Sequence, residues 1–340
     1  MDIRTAIGKL INHQDLSGPE MQSVMRTIMQ GEATDAQIGG FLVALRMKGE
    51  SVSEITAAAS VMRELAARVD IEHPNLVDIV GTGGDESHTF NISTTAAFVI
   101  AAAGGKVAKH YNRSVSSKSG SADVLEAAGV KLELQPDQVR QCIDRLGVGF
   151  MFALVHHKAM KHAIGPRREL ATRTIFNLLG PLTNPAAAPN ALIGVFNRDL
   201  LEPMAQVMQQ LGARHVMAVH SEDGMDEISV TAATDVAELK DGAINSYQIT
   251  PEQFGISRGE LAEIKVNNAD ESLQLMQQVL DNQPGTARDI VALNAGAAIY
   301  VAGLTADLGA GIDLANKVIT DGSARQKLQD LVRLSNELAA

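Results

Sequence analysis

A glycine-rich turn followed by a short polar run forms the first candidate site. Residues 81–85 read Gly-Thr-Gly-Gly-Asp directly after the apolar run 76–80, and residues 91–94 read Asn-Ile-Ser-Thr before the alanine-rich stretch 95–103. Glycine lets backbone N–H groups approach an anion closely, and a helix that begins at Ser93 and Thr94 points its positive end at the same place. The spacing matches neither the dinucleotide fingerprint nor the P-loop. It predicts a phosphate site; the alternative is a purely structural turn and helix cap.

A second polar segment, residues 109–120, follows the next predicted strand at 106–108. It combines the cations Lys109, Arg113 and Lys118 with a run of serines. In a chain of formal charge −11, such a cation cluster predicts a polyanionic ligand, because an anion offsets the repulsion between like charges. Lys109 is best placed to neutralise a departing phosphate group, whereas Arg113 would alternatively fix the loop internally.

Adjacent carboxylates in residues 223–227, Asp-Gly-Met-Asp-Glu, form the third candidate site. Carboxylates of this kind hold Mg²⁺ together with water and substrate phosphates. Neighbours on a regular strand face opposite ways, so Asp226 and Glu227 reach one metal only if the segment is a loop, which residues 221–224 favour. A solvated acidic turn is the alternative. Beside two phosphate segments, we expect Mg²⁺ as the cofactor.

Six ordered motifs give the chain a close resemblance, over nearly its whole length, to the anthranilate phosphoribosyltransferases. The motifs occupy residues 81–85, 89 with 91–94, 109–121, 166–170, 176–185 and 226–229. The resemblance implies Mg²⁺-dependent transfer of the phosphoribosyl group from phosphoribosyl pyrophosphate to the amine of anthranilate, with release of pyrophosphate, in tryptophan biosynthesis. It also implies a homodimer, with small-molecule substrates and neither nucleic acid nor membrane as a partner.

The resemblance assigns site residues to four roles. Phosphoribosyl pyrophosphate would be bound by Gly81, Gly84, Asp85, Thr89, Asn91, Ile92, Ser93, Thr94, Lys109, Arg113, Ser114, Ser116, Ser117 and Ser121. Anthranilate would be bound by Gly81, His110, Asn112, His157 and Arg167. The metal ligands would be Ser93, Asp226 and Glu227, and the catalytic residues Lys109, Asp226 and Glu227. An arginine fork suits a substrate carboxylate, and Pro166 before Arg167 is compatible with the first turn of a helix.

The implied reaction needs no protein nucleophile. The aromatic amine is already neutral at pH 7, so the difficult step is the loss of pyrophosphate from a ribosyl cation-like state. A zinc site at His156, His157 and His162 is disfavoured, because neither cysteine partners nor a His-Glu-x-x-His spacing accompanies them.

Two positions depart from the family pattern. Tyr111 replaces a glycine usual between histidine and asparagine, and Glu86 replaces a glycine usual after Gly-Gly-Asp. Tyr111 would be strained by about 1 to 2 kcal/mol in a left-handed conformation, fill space meant for the acceptor, or point to solvent. In the first two cases Tyr111→Gly should raise the specificity for anthranilate; in the third it should change activity little.

Composition excludes several classes of protein. The acidic pI near 5.3 argues against a general nucleic-acid or membrane-surface binder, which needs a wide positive face. The lone cysteine, Cys142, rules out an intramolecular disulfide and agrees with a reducing cytoplasm. The longest apolar stretch, 96–103, is far below the about 20 residues that span a bilayer, and no signal peptide is visible. We therefore expect a cytoplasmic protein.

The pattern of elements predicts an α/β fold in two parts. Residues 1–72 form a small all-helical domain with capping signals at Ser17, Thr34 and Ser51 or Ser53, and residues 73–340 form a large α/β domain with a central mixed sheet flanked by helices. A helical segment at about 157–180 rejoins the small domain in the resembled family. Strands are predicted at 76–80, 106–108, 149–153, 191–195, 215–220, 228–231, 236–239 and 243–249, and late helices at 271–280, 287–302, 307–320 and 323–338.

Two other functions remain open. A pyrimidine nucleoside phosphorylase-like enzyme has a similar fold and phosphate loop, but the acidic pair and the basic loop would be superfluous for it. A catalytically retired nucleic-acid-binding relative should carry a broad basic surface, which the net charge of −11 opposes, although Tyr111 keeps lost catalysis open.

Overall fold

The computed structural model describes residues 1–85, 87–112 and 119–340. Four helices form the N-terminal unit: α1 (Ile3–Ile11), α2 (Gly18–Met29), α3 (Asp35–Lys48) and α4 (Val52–Leu65). Local chemistry starts three of them, because Ser17, Thr34 and Ser51 make capping boxes with residues three positions later. The predicted helical unit is confirmed.

A seven-stranded mixed sheet forms the centre of the remaining chain, which confirms the predicted central mixed sheet. Its strands are β1 (Leu76–Gly81), β2 (Lys106–Tyr111), β3 (Val148–Phe152), β4 (Asn190–Gly194), β5 (His215–Ser221), β6 (Thr234–Lys240) and β7 (Ala243–Ile249). The strand order is β3-β2-β1-β4-β5-β6-β7; the first five positions pair in parallel, and β6 and β7 pair antiparallel. Strands built on both sides of β1 leave a crevice where the carboxyl ends of β1 and β4 diverge.

Helices cover both faces of the sheet. They are α5 (Ile92–Ala102), α6 (Ser121–Ala127), α7 (Pro136–Leu146), α8 (Ala153–His156), α9 (Lys161–Leu170), α10 (Phe176–Leu182), α11 (Leu201–Gln210), α12 (Ala269–Leu280), α13 (Thr286–Val301), α14 (Leu308–Thr320) and α15 (Ser323–Ala339). The four late helices are confirmed, while α6, α7 and α11 are not among the predicted elements. Within the described residues, no helix has the length and apolar character needed to cross a membrane.

Two apolar clusters divide the core between the faces of the sheet. One joins α5, α13 and α15 to the face that carries Ile79 and Val107. The other joins α1 to α4 to α10, α11 and the opposite face, including Ile193 and Val216. The apolar surplus of the N-terminal helices is thus partly buried against the α/β part. Helix α9 lies against α2 and α3, which returns the middle of the chain to the helical unit.

Two predicted elements were wrong. Residues 228–231 form no strand, because the Asn294 side chain takes the place of a strand neighbour: its Oδ1 accepts from Ile228 N at 2.9 Å, and its Nδ2 donates to Ile228 O at 2.8 Å. Strand β2 runs to Tyr111, so Lys109 belongs to a buried strand and not to the loop that follows it.

Candidate phosphate and acceptor site

The glycine turn, residues 81–85, leaves β1 at the crevice. Gly83 and Gly84 have φ values of +68° and +78°, a left-handed conformation that glycine adopts without strain. Gly81 pairs with Gly194 on β4, and both lie against Asp226. A Cβ at Gly81 would lie 2.3 Å from Asp226 Oδ2, and one at Gly194 would lie 1.6 Å from Asp226 O. Glycines on two neighbouring strands therefore let the acidic segment, residues 223–227, reach the turn.

Asp226 and Glu227 of the acidic segment lie in irregular backbone, which confirms the predicted loop. Asp226 Oδ2 accepts a hydrogen bond from Gly83 N at 2.7 Å. Burial, reinforced by Asp85, raises the pKa of Asp226, and burial together with Asp226 raises the pKa of Glu227. Three acids thus crowd one side of the crevice. Such crowding favours a bound cation, because unpaired carboxylates repel each other.

Lys109 lies beneath the acids with 2% of its surface exposed. Its Nζ donates to Ile79 O and, at 3.1 Å, to Ser93 Oγ. Burial lowers the pKa of Lys109, and the carboxylates of Asp78, Glu227 and Asp226 oppose that shift. Lys109 is therefore hydrogen-bonded to the start of α5 and interacts electrostatically with the carboxylates.

The N-terminus of α5 lies at the same cluster, where the Ser93 backbone N–H acts to lower the pKa of Glu227. Asn91 directs its side chain elsewhere: Oδ1 accepts from Ser119 Oγ at 3.0 Å and from Ser272 Oγ at 2.7 Å. Thr94 Oγ1 donates to Ser121 Oγ at 2.9 Å. These contacts tie the start of α5 to α6 and α12.

Thr89 and Ile92 lie on either side of Asn91. Thr89 pairs with Lys265 in an isolated β-bridge, and Ile92 is buried. Six residues singled out in the sequence lie outside the described residues: Glu86, Arg113, Ser114, Ser116, Ser117 and Lys118.

Two histidines meet on the opposite face of β2. The rings of His110 and His157 are 4.9 Å apart. His110 Nδ1 donates to Gly180 O at 3.1 Å and His157 Nε2 to Thr183 O at 3.0 Å, since a carbonyl oxygen only accepts. Burial lowers the pKa of His157 to about 4 and the pKa of His110 well below its usual range. His110 Nε2 is buried without a hydrogen-bond partner among the described residues, so a neutral acceptor atom is left for a donor.

Arg167 lies on α9 with its guanidinium 5.1 Å from the centre of the Phe176 ring. Burial lowers its pKa. Pro166 lies inside α9, not in its first turn, which corrects the predicted helix start. Asn112 follows β2 and is exposed.

Tyr111 is neither strained nor exposed to solvent. It has no positive φ, is only 5% exposed, and packs against β3: its ring stacks on Phe152 at 5.4 Å and meets Phe150 edge-on at 5.8 Å. Side chains alternate along a strand, so Tyr111 shares a face with Lys109 and points away from His110. The expectations of strain and of solvent exposure are therefore wrong, and the obstruction of the acceptor path stays a prediction.

The sequence-level reasoning missed two residues at this site. Asp78 is buried within β1, where its carboxylate accepts from Asn184 Nδ2 at 2.6 Å and from His110 N at 3.3 Å, and burial raises its pKa to about 6. The sequence signal for Asp78 was an acidic residue inside the apolar run 76–80. Arg173 reaches the glycine turn through a contact to Gly84 O, which no sequence pattern indicated.

The fold and site define a class of glycosyl transferases. The family model for the glycosyl transferase family a/b domain matches residues 73–325, and that for its helical bundle domain matches residues 4–66. Within this class, the chain belongs to the anthranilate phosphoribosyltransferases. It is 61% identical to the Methylococcus capsulatus anthranilate phosphoribosyltransferase over 100% of both chains, and 60% identical to that of Thioalkalivibrio sulfidiphilus over 98% of both.

Solved structures agree with this assignment. The Thermus thermophilus anthranilate phosphoribosyltransferase has a TM-score of 0.92 and 44% identity, and the match covers 97% of this chain and 99% of that one. The Saccharomyces cerevisiae enzyme, solved in complex with PRPP and Mg, shares the fold with a TM-score of 0.89 at 24% identity over 98% of both chains.

Proposed function

We propose that this chain transfers the phosphoribosyl group from phosphoribosyl pyrophosphate to the amine of anthranilate, releasing pyrophosphate, in tryptophan biosynthesis. The acidic pair, buried Asp226 and half-buried Glu227, lies at the glycine turn near Lys109 and carries the proposal. The full-length relatives named anthranilate phosphoribosyltransferase support it and do not favour the phosphorylase or nucleic-acid-binding alternatives.

Asp226, Glu227 and the Ser93 hydroxyl suit Mg²⁺, because all three offer hard oxygen ligands. Burial first, and then the neighbouring carboxylates, raise the pKa values of both acids, and a bound cation would offset both effects. No group of three or more His, Cys, Asp or Glu side chains able to hold a metal occurs in the described part of the chain, and we propose that water and substrate oxygens complete the shell. When bound there, Mg²⁺ would offset the charge of pyrophosphate.

The phosphates would be bound by groups of the chain itself. The glycine turn and the start of α5 offer backbone N–H groups to the phosphates, and Lys109 adds positive charge beneath them. The proposed phosphate ligands also include Gly84, Asp85, Thr89 and the residues of the loop after Asn112. Asn91, Ile92, Thr94 and Ser121 belong to the same proposed phosphate surface, and the hydrogen bonds of Asn91, Thr94 and Ser121 described above hold the start of α5 in place.

On the acceptor side, Arg167 would bind the anthranilate carboxylate, with Asn112 and Gly81 beside it. The free Nε2 lone pair of His110 would accept from the anthranilate amine, and His157 would hold the His110 ring in place. Attack by a neutral amine needs orientation rather than deprotonation. The low pKa values keep both histidines neutral, so that His110 Nε2 can accept a hydrogen bond.

The helical unit would form a homodimer in the cytoplasm. Ile11 on α1 and Val43 and Met47 on α3 are exposed large apolar side chains, with Met47 76% exposed. A second copy of the chain that covers these three side chains would remove their apolar surface from water. Light scattering of the wild type and of Met47→Lys tests the homodimer. We expect the wild type to be a dimer and the lysine variant to dissociate more readily, because the introduced charge lies in the interface. A wild-type monomer at micromolar concentration would contradict the proposal.

The activity is tested by the fluorescence loss of anthranilate with phosphoribosyl pyrophosphate, with and without Mg²⁺. Asp226→Asn and Glu227→Gln should each lower the Mg²⁺-dependent rate by about a hundredfold or more and leave folding intact, because each removes a metal ligand. Glu222→Gln, an exposed neighbour, is the matched control. Unchanged rates in both site variants would refute the assignment of Asp226 and Glu227 as metal ligands. A wild type without turnover would refute the proposed function.

The acceptor assignment has its own test. Arg167→Ala should raise the KM for anthranilate by about tenfold or more and change the KM for phosphoribosyl pyrophosphate little, since it removes only the carboxylate fork. Arg168→Ala removes an exposed neighbouring guanidinium and serves as the control. Equal rises for both substrates would indicate that Arg167 is structural.

A further inference from the structure

Arg173 joins the acceptor side of the molecule to the glycine turn. It lies in the short connection between α9, which carries Arg167, and α10. Its Nη2 donates a hydrogen bond to Gly84 O, and its guanidinium stacks on the Phe196 ring 4.2 Å from the ring centre. The side chain is therefore held by a flat apolar support and a backbone acceptor at once.

The support belongs to the same turn. Phe196 N donates to Thr82 Oγ1 at 3.0 Å, and Thr82 N donates to Gly194 O at 2.9 Å. On its other side, the turn is held by the Asp226 contact to Gly83 N. The turn is thus fixed at three consecutive residues, and only the contact at Gly84 comes from the connection between α9 and α10.

The hydrogen bond from Arg173 to Gly84 O sets the direction of the next backbone N–H group. Two successive glycines with positive φ make a soft turn with many accessible conformations. A hydrogen bond from a charged donor to Gly84 O fixes the plane of the peptide between Gly84 and Asp85. Because a trans peptide is planar, the Asp85 N–H then points away from Arg173. One anion-binding donor of the turn is set before substrate arrives.

We propose that Arg173 is a positioning residue for phosphoribosyl pyrophosphate, acting through the Gly84 carbonyl without touching the reacting atoms. The proposal rests on the phosphate-binding role proposed for the turn. It assigns to the connection between α9 and α10 a specific effect on the affinity for phosphoribosyl pyrophosphate, separate from the anthranilate site that α9 carries.

Three variants test it. Arg173→Met keeps an unbranched chain on Phe196 but loses the donor, and Arg173→Gln retains a neutral donor. Arg198→Met removes a 69% exposed guanidinium elsewhere and controls for net charge. The measurements are the KM for each substrate, the Kd for phosphoribosyl pyrophosphate with Mg²⁺ by calorimetry, and the melting temperature.

We expect Arg173→Met to raise both the KM and the Kd for phosphoribosyl pyrophosphate by about tenfold, the effect of losing one hydrogen bond to a charged group, with the anthranilate KM changed less than about twofold. Arg173→Gln should fall between Met and the wild type, and Arg198→Met should match the wild type. The difference should persist in about 0.5 M KCl, where long-range charge effects are screened.

Several results would overturn the proposal. One is an unchanged Kd in Arg173→Met; another is an equal rise of both KM values with a lower melting temperature, which would make Arg173 merely structural. If Arg173→Met does not fold, the Arg173→Gln variant decides: a folded Gln variant whose KM and Kd for phosphoribosyl pyrophosphate equal those of the wild type would refute the proposal. Calorimetry separates this failure from that of the proposed function: a wild type that binds phosphoribosyl pyrophosphate without turnover refutes the transfer reaction alone, and a wild type that binds none refutes both.

Discussion

Replacing Tyr111 by glycine, the residue usual at this position in the family, should destabilise the protein. The phenol ring is buried against Phe150 and Phe152 at the end of β2, and the backbone already has negative φ. Glycine therefore relieves no strain here and removes a buried aromatic side chain from the apolar core.

The magnitude follows from two terms. Truncation of a buried aromatic side chain costs about 3 to 5 kcal/mol, because surrounding atoms only partly fill the cavity. Glycine within a strand costs about a further 0.5 to 1 kcal/mol relative to alanine. The sum is roughly 4 to 6 kcal/mol, a large part of the about 5 to 15 kcal/mol by which proteins of ordinary stability resist unfolding.

Urea unfolding followed by circular dichroism measures this loss in the free energy of unfolding. Tyr111→Phe keeps the ring and should cost no more than about 1.5 kcal/mol, the range for one hydrogen bond. Tyr247→Gly truncates a tyrosine on the exposed strand β7 and should cost much less than Tyr111→Gly. The specificity constant for anthranilate should not rise in the glycine variant.

Two results would refute the reasoning. A free energy of unfolding within about 1 kcal/mol of the wild type would mean that the ring is not packed as described. A stable glycine variant with a higher specificity constant would mean that the side chain obstructs the acceptor after all.

Three further outcomes are expected. Ala171, the C-cap of α9, has a φ of +45°, so Ala171→Gly should stabilise the protein by about 1 kcal/mol in urea unfolding, whereas Ala66→Gly, at a C-cap in extended conformation, should not. The folded pKa of His157, about 4, lies below the usual 6.5. The neutral imidazole therefore makes its full contribution to the free energy of unfolding above pH 6.5, and this contribution is lost as the pH falls toward 4. Between pH 6.5 and 5, the free energy of unfolding of the wild type should therefore fall by roughly 1.6 kcal/mol more than that of His157→Gln, while exposed His13→Gln should follow the wild type. Gly194→Ala places a Cβ 1.6 Å from a carbonyl oxygen of the acidic segment and should abolish Mg²⁺-dependent turnover; wild-type rates would contradict that packing.

Features that depend on neighbouring residues could be predicted from the sequence. The helices that begin after Ser17, Thr34 and Ser51 start where their capping boxes indicate, because a cap is made within four residues. Strand β7 has its predicted bounds, since the turn at Asp241 and Gly242, with φ values of +51° and +77°, closes the β6–β7 hairpin locally. The glycine turn, the acidic pair and the family were visible for the same reason: each is carried by contiguous residues.

Contacts between distant residues were decided only by the tertiary structure. Residues 228–231 have the composition of a strand, yet Asn294 on α13 supplies the hydrogen bonds that a neighbouring strand would have made. Lys109 reads as a loop cation, but pairing with β3 extends β2 and buries it beneath the acids. Tyr111 and Arg173 find their partners on β3 and in the glycine turn. The free energy of such side chains depends on what the folded chain places beside them, and no local pattern contains that information.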